Sequence, residues 1–502
     1  HTRMLAAAML AAQNPALECV QLVSFGCGHD AVLTDEMTRI MTQCGHKSLL
    51  ALKIDESEAT GSLTLRIQSF LESVRIRRNQ TGTLPAGGAI LKEPSPVKFT
   101  PADRPKRVLL IPNISAEVSK LLSGICAKEG FVVQTVPVGG VAQIKLGKYH
   151  VHNDICFPCQ MVIGELISAL QKGHLKQDEV AVGMVKFQCD CRLSHYAALL
   201  RKGLDSAGFN AVPIVTTDVN DTKAMHPGVQ LLGLSAVLEA VWTFMMLDIL
   251  TDLCRKIRPY EQLKGETDRV YQTCVDRIAE AIQVGIPSAK QAFAEGIDAL
   301  AKLPYDRSRL KPQVLVTGEL LVTYHPGSNF DLERYLEQNG LETIFPRVTD
   351  QLRKDFLAAS AEIKTYHAHI PPYPLLVSRL FDSVQKKLEK IALRHPLYQC
   401  ALTPRELYQG VSHIMPETLS CGEGWLMAAE IVHYAQQGVK TFVILQPFGC
   451  LPNHICGRGV LKRIKADYPD IQILPLDLEP DTSFANVENR LQMLLMSQRQ
   501  TY

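Results

Sequence analysis

Short apolar runs alternate with helical patterns along two stretches of the chain. The first stretch contains RVLLIPN, FVVQTVPV, VAVGMVKF and AVPIVT, and the second contains QVLVTGEL, ETIFPRV, TFVILQPF and IQILPLDL. Strands that alternate with helices of this length are typical of doubly wound parallel sheets. We therefore predict an α/β fold with two Rossmann-like parallel-sheet domains, at residues 106–228 and 310–502.

The region between these two stretches, residues 229–309, carries no strand pattern and is predicted to be a helical segment. Its longest apolar run, Leu231 to Leu250, contains Glu239 and Asp248. Because carboxylates are costly inside a lipid bilayer, we expect this run to form a buried core helix and not a membrane span.

A repeated pattern of cysteines is the most informative feature of the sequence. CFPCQMVIGELISALQKG, from Cys156, and CGEGWLMAAEIVHYAQQG, from Cys421, each place a glycine 17 residues after the first cysteine. Each segment predicts a helix that starts at a cysteine and ends at a glycine. Each then leads into a strand that ends in Phe-x-Cys, at Cys189 and at Cys450. A third copy of this strand, VQLVSFGCG, ends at Cys27.

The N-terminal copy has no helix-start cysteine before it. Residues 1–78 are therefore predicted to be a partial α/β lobe whose front half is missing, which makes the chain a piece of a larger protein. Residues 79–105 are rich in glycine and proline and are predicted to be a linker.

The charge of the chain is nearly balanced, with 53 Lys and Arg against 51 Asp and Glu. No overall field therefore favours nucleic acid or a membrane surface as a partner. The N-terminal sequence HTRMLAAAMLAAQNP has no small-residue cleavage site after an apolar region, so we predict a cytoplasmic protein.

Fourteen cysteines in such a chain indicate thiol chemistry or metal binding. Cys156 and Cys421 are predicted at helix N-termini, where free N–H groups and the helix dipole favour the thiolate. Other cysteines are predicted at the carboxyl ends of parallel strands, where open α/β sheets place ligands. These are Cys27, Cys450 and either Cys189 or Cys191. We expect the two kinds of cysteine to converge.

The remaining cysteines are assigned by their setting. Six lie within helical or strand patterns and are predicted to be small buried apolar residues. They are Cys19, Cys44, Cys126, Cys254, Cys274 and Cys400. Cys159 and Cys456 are predicted neighbours of the site. Three histidines beside the cysteine motifs are candidate proton donors to a bound substrate, although solvated or supporting roles are commoner. They are His152, His195 and His454.

Several metals and reactions are compatible with these cysteines. The pairs 156–159 and 189–191 could hold tetrahedral zinc, but 30 residues separate Cys159 from Cys189, more than is usual between paired halves. A thioredoxin-like interpretation of CFPC leaves the Phe-x-Cys copies unexplained. An iron–sulfur cluster held by thiolates from several loops accounts for more of the pattern. The sequence contains no phosphate-binding GxxxxGK[ST] loop, HExxH, GxSxG or CxxCH motif.

Five separated strings give the chain a family resemblance. They are YHVHNDICFPCQMVIGELISAL, CDCRLSHYAALLRKGL, RPYE, CGEGWLMAAEIV and LQPFGCLPNHICGRG. In this order they resemble the C-terminal half of large acyl-CoA dehydratase activase-related proteins. That family joins sugar-kinase-like ATPase modules to a region related to the iron–sulfur subunits of 2-hydroxyglutaryl-CoA dehydratase and to double-cubane cluster proteins. The resemblance covers essentially the whole chain.

The resemblance implies an electron acceptor that holds a low-potential cluster, of the 4Fe-4S or double-cubane type, between two Rossmann-like lobes. An ATPase activator module in the same intact chain would drive it, with an acyl-CoA or another small molecule as substrate. The cysteines that match the family pattern are Cys27, Cys156, Cys191 and Cys450. Cys421 and Cys189 are further candidate ligands, with Cys189 the alternate to Cys191. The rival hypothesis is a zinc- or cluster-stabilised scaffold that docks an ATPase without redox chemistry of its own.

Overall fold

The computed structural model describes the chain over the ranges 1–24, 28–54, 60–80, 97–173, 175–186, 191–218, 226–228, 234–369 and 373–499. The strands are β1 (Val20–Ser24), β2 (Leu50–Ile54), β3 (Val108–Ile111), β4 (Val132–Thr135), β5 (Val180–Met184), β6 (Ile214–Thr216), β7 (Gln313–Gly318), β8 (Glu342–Ile344), β9 (Thr441–Pro447) and β10 (Gln472–Leu478).

The helices are α1 (Thr2–Gln13), α2 (Asp30–Gly45), α3 (Thr60–Gln80), α4 (Ala116–Lys128), α5 (Val141–His150), α6 (Phe157–Lys172), α7 (Tyr196–Ser206), α8 (Leu234–Ile257), α9 (Glu266–Val284), α10 (Ile286–Ala301), α11 (Leu320–Tyr324), α12 (Pro326–Asn329), α13 (Leu332–Gln338), α14 (Val348–Tyr366), α15 (Tyr373–Ala392), α16 (Pro404–Val411), α17 (Trp425–Gln436), α18 (Leu461–Asp467) and α19 (Phe484–Arg499).

Two four-stranded sheets, parallel throughout, confirm the predicted α/β class. One sheet has the strand order β4-β3-β5-β6 and lies in the first lobe, residues 97–218. The other has the order β8-β7-β9-β10 and lies in the second lobe, residues 313–499. Numbered within each lobe, both sheets run 2-1-3-4, so the cysteine repeat belongs to a repeat of topology.

The central strands are buried on both faces. Every residue of β5 and of β9 is buried, because helices cover both sides of each sheet. This explains why VAVGM and TFVILQP are nearly continuous apolar runs and do not alternate with polar residues. The eight strands predicted for the two lobes are all present.

The helical body consists of α8, α9 and α10, packed against α4 of the first lobe and against α14 and α15 from the second. Helix α8 contains the described part of the long apolar run, residues 234–250, and lies in the core of this body, as predicted. Its two carboxylates are partnered: Glu239 pairs with Lys128, and Asp248 accepts hydrogen bonds from the N–H groups of Val348 and Thr349 at 3.0 and 3.1 Å. Among the described residues, no helix has the length and apolar character needed to cross a membrane.

Glycines permit close backbone contacts both within the first lobe and between the two lobes. Within the first lobe, helices α5 and α6 cross at Gly147 and Gly164, where a Cβ atom would lie 1.8 Å from a carbonyl oxygen of the other helix. Gly327 of the second lobe makes an equally close approach to the carbonyl of Gly139 in the first. One apolar core, which includes Leu166 of α6 and Val316 of β7, runs through both lobes.

A fully buried hydrogen-bonded pair, Glu165 and His325, lies at this contact. The Glu165 carboxylate is 2.8 Å from Nε2 of His325, and the same oxygen accepts the N–H of Gly139 at 2.6 Å. Nδ1 of His325 accepts the N–H of Ser328 at 3.1 Å, so the histidine donates through Nε2. The pair therefore joins α6 of the first lobe to the start of α12 in the second.

The N-terminal lobe, residues 1–80, contains the parallel strands β1 and β2 with α1 to α3. Much of the predicted linker, residues 81–96, lies outside the described residues. After it, Phe99 is fully buried in the core of the first lobe, so that lobe begins before its first strand.

Candidate functional site

The carboxyl ends of the two sheets and the starts of two helices meet between the lobes. In sheets of order 2-1-3-4, ligands bind at the carboxyl ends of the first and third strands, where the order reverses. In the second lobe these ends lead directly to Glu319 and Cys450. We call the region where they face the first lobe the interlobe site. Its residues are Cys156, Cys159, Cys191, Arg192, Tyr196, Glu319, Glu423, Cys450 and Asn453.

The first lobe contributes thiols at the start of α6. Cys156 is the N-cap of this helix, Pro158 lies in its first turn, and Cys159 follows within that turn. The Cys156 Sγ atom is 2.8 Å from the hydroxyl of Tyr196. Burial raises the pKa of the Cys156 thiol, although Arg192 acts in the opposite direction. Burial and the neighbouring Cys156 raise the pKa of Cys159 well above its usual value.

The second lobe contributes two carboxyl groups and one thiol. Glu423 accepts the N–H of Leu320 at 2.9 Å and the side-chain amide of Asn453 at 3.2 Å. The same amide nitrogen of Asn453 is 3.2 Å from the Cys450 Sγ atom. Burial and the nearby Glu423 raise the pKa of Glu319 to about 8. Burial raises the pKa of the Cys450 thiol well above its usual value, and the nearby Glu423 acts in the same direction.

Arg192 connects the two halves of the site. Its guanidinium donates to the carbonyl of Gly449, next to Cys450, at 3.2 Å. The same charge acts on the thiols of Cys156 and Cys159. Cys156 in turn interacts electrostatically with Glu319 of the second lobe. The guanidinium therefore acts on the thiols of the first lobe and hydrogen-bonds the backbone beside the thiol of the second.

The N-terminal lobe reaches the same region. His29 shares a 2.9 Å hydrogen bond with His195, and Lys53 pairs with Asp154 at 2.5 Å. Cys27 lies outside the described residues, but His29 follows it by only two positions in the chain. His29 is thus next to the part of the first lobe that carries Cys191.

The structure brings together three of the six predicted ligands. Cys156, Cys191 and Cys450 lie at the interlobe site: Cys156 hydrogen-bonds Tyr196, and Cys191 contributes to the raised pKa of that tyrosine. Cys27 and Cys189 lie outside the described residues. Cys159, predicted only as a neighbour, is as buried as any thiol of the site.

The predicted helix-start position of Cys421 is wrong. Helix α17 begins at Trp425 and its N-cap is Gly424, three residues beyond Cys421. Gly422 and Gly424 both have positive φ angles, of 57° and 53°, and so form a turn before the helix. The buried ammonium of Lys354 donates to the carbonyls of Ser420 and Gly422 and holds this turn in place.

The remaining predictions concern the other cysteines and the candidate histidines. Of the six cysteines predicted to be buried apolar residues, five are buried, but Cys400 is exposed because it follows the end of α15 in a surface loop. Cys456 is buried in the second lobe, near the carbonyl of Leu419. Among the candidate histidines, burial lowers the pKa of His152 and of His454.

Four functional residues of the site were missed by sequence reasoning: Arg192, Tyr196, Glu319 and Glu423. Glu319 had a usable signal, because it directly follows the predicted strand QVLVTG. The rule that places strand-end cysteines in the ligand crevice applies equally to a strand-end carboxylate. Arg192 and Tyr196 had no such signal, since Arg192 acts across the lobe contact and Tyr196 meets Cys156 only through the tertiary fold of the first lobe.

The spacing and the chemistry of the donor side chains determine whether they can hold a metal centre. Among the described residues, no three His, Cys, Asp or Glu side chains are close enough to hold one ion. The chemistry of the donors nevertheless suits a thiolate-ligated centre, since the guanidinium of Arg192 favours the ionised form of Cys156 and Cys159 and donates to the backbone beside Cys450. Cys156, Cys191 and Cys450 would hold such a centre, with Cys159 beside them.

The comparisons with known proteins do not assign the chain to a family. No protein-family model matches the chain. No curated protein matches it either.

Proposed function

We propose that the interlobe site holds an iron–sulfur cluster, and that the chain is the cytoplasmic electron acceptor of an ATP-driven reductase or 2-hydroxyacyl-CoA dehydratase-like system. The observation that carries this proposal is that thiols of two lobes with the same topology lie at one lobe contact, where Arg192 beside Cys191 hydrogen-bonds the backbone next to Cys450. A bound cluster would supply one-electron redox chemistry at low potential.

The protein's own residues supply the surroundings of the cluster. Arg192 stabilises negative charge on the thiolates, and the N-terminus of α6 adds its dipole at Cys156. The thiols are held protonated by burial, so loading a metal must release protons. The partner would be an ATPase module, because the chain has no phosphate-binding loop of a recognisable kind. The family resemblance supports the same assignment.

The test is metal analysis of the chain after anaerobic purification or reconstitution. Iron with acid-labile sulfide, together with an EPR signal that appears on reduction, supports the proposal. Stoichiometric zinc, or no metal at all, supports the rival scaffold function. The same preparation therefore separates the two hypotheses.

Two ligand variants localise the metal. Cys156→Ser and Cys450→Ser should each lower the iron bound per folded chain to about half or less, because each removes a thiolate from a different lobe. Cys274→Ser is the matched control: this thiol is buried in the helical body, so its loss costs about 1–3 kcal/mol of stability and leaves iron unchanged. Unchanged iron and visible absorption in both site variants would refute the assignment.

A further inference from the structure

Two cavities lie on one side of the interlobe site. The outer cavity has a volume of about 430 Å³ and lies between the helical body and the second lobe. The inner cavity has a volume of about 20 Å³, which is room for one water molecule. The two cavities share a wall formed by Thr323, Tyr324, Pro346, Arg347 and Glu430. Glu423 of the interlobe site also lines the inner cavity.

Glu430 is the ionisable carboxyl group in that shared wall. It is 5% exposed, and one of its oxygens accepts the hydroxyl of Thr317 at 2.8 Å. The hydroxyl of Thr323, on the same wall, is buried and has no hydrogen-bond partner among the described residues. A water molecule in the inner cavity would satisfy this hydroxyl and contact the carboxyl.

The charges around Glu430 favour its protonated form. Burial raises the pKa of Glu430 well above its usual value, and the neighbouring Asp350 and Glu423 act in the same direction. Arg347 lies on the shared wall from the start of α14, and Tyr324 lies there from α11. A buried carboxyl that holds its proton near neutral pH is suited to passing that proton on.

We propose that Glu430 relays protons from the outer cavity, through the inner cavity, to the interlobe site. In this step the O–H bond of Glu430 breaks as its proton passes to the inner water, which gives a proton of its own to the carboxylate of Glu423. The carboxylate of Glu430 then regains a proton from water in the outer cavity, so one proton moves inward and no electron is consumed. The inference rests on the proposed function in one respect only, that reduction at the interlobe site takes up protons.

The first test needs no metal and uses infrared spectroscopy of the full chain. Glu430→Gln should remove an absorption band of a protonated carboxyl group, and in the unmodified chain this band should shift soon after transfer to D₂O. Glu389→Gln is the matched control, because Glu389 is a buried glutamate that lines neither cavity. A spectrum from which Glu430→Gln removes no carboxyl band, or a removed band that in the unmodified chain exchanges only when the protein unfolds, would overturn the proposal.

The second test measures arrival of the proton at the site. The S–H band of Cys450, identified by its loss in Cys450→Ser, should exchange with D₂O about tenfold more slowly in Glu430→Gln than in the unmodified chain. Equal exchange rates would overturn the proposal. If Glu430→Gln does not fold, Thr317→Val keeps the carboxyl and should move its band to higher frequency by removing a hydrogen bond. No band shift in that variant would count equally against the proposal.

The third test separates this inference from the proposed function. If the chain binds iron, Glu430→Gln should slow reduction of the cluster about tenfold and flatten the dependence of its rate on pH, with iron content unchanged. An unchanged pH dependence would contradict the relay. If the chain binds no iron, the proposed function fails, while the two infrared experiments still decide whether the route exists.

Discussion

Replacing Glu319 by glutamine should make the second lobe more stable at alkaline pH. Glutamine keeps the oxygen that accepts the N–H of Val322 at 2.9 Å, but it cannot ionise. In the native chain, burial and Glu423 raise the pKa of Glu319 from 4.5 to about 8. The folded state therefore holds the proton more tightly than the unfolded state does.

The sign and size of the effect follow from proton linkage. A raised carboxyl pKa gives stability that is fully present below about 4.5 and is lost as the pH rises through about 8. Each tenfold difference in proton affinity corresponds to about 1.4 kcal/mol, which sets an upper bound of about 5 kcal/mol. Because Glu319 is half-buried and partly screened by water, we expect about 2–3 kcal/mol.

The assay is urea unfolding between pH 5 and about 8.5, monitored through tryptophan fluorescence. The chain has two tryptophans, and Trp425 is fully buried in the second lobe, close in sequence to Glu423. A Trp242→Phe background removes the signal of the helical body. In it the native chain should lose stability as the pH rises, whereas Glu319→Gln should lose about 2–3 kcal/mol less.

Glu479→Gln is the control, because it removes an exposed carboxylate from the same lobe and should not alter the pH profile. Parallel profiles for the native chain and Glu319→Gln would show that the Glu319 carboxyl ionises as freely as one in water. The raised pKa of Glu319 at the interlobe site would then be refuted.

Three further changes test the packing around the site. Glu165→Ala should lower the free energy of unfolding by about 1–3 kcal/mol, measured in urea, because it leaves the buried Nε2–H of His325 without its acceptor. Gly164→Ala places a Cβ atom 1.8 Å from a carbonyl oxygen and should cost about 2 kcal/mol or more by calorimetry, whereas Gly61→Ala meets no atom within 4 Å and should be neutral or stabilising. Lys354→Met should release the turn before α17 and make Cys421 react about tenfold faster with a thiol reagent; an unchanged rate would show that this lysine does not hold the turn.

The sheets could be predicted from the sequence because their strands are local and strongly marked. TFVILQP is an apolar run bounded by turn residues, and such a run forms a strand with little help from distant residues. The repeat of Cys156 and Cys421 indicated that the lobes are alike, and both sheets have the same strand order. The predicted helix start at Cys421 is wrong, because Gly422 and Gly424 form a turn and the helix begins only at Trp425.

The site was less predictable because it depends on docking. Cys156 and Cys450 were chosen for their positions at element ends, a property that the sequence displays. The roles of Arg192 and Glu319 follow from distances across the lobe contact, and no local pattern contains those distances. For the same reason, the membership of α14 and α15 in the helical body could not be read from residues 310–502 alone.

The close backbone contacts at Gly147, Gly164 and Gly327 bear on how relatives of this protein can be recognised. A thiol can be replaced by another donor, and a core residue by another of similar volume. At these three positions, any side chain would strike a backbone atom that has nowhere to go. A distant relative that keeps the crossing of α5 and α6 and the same lobe contact must therefore keep these glycines, which makes their spacing a better search pattern than the cysteines themselves.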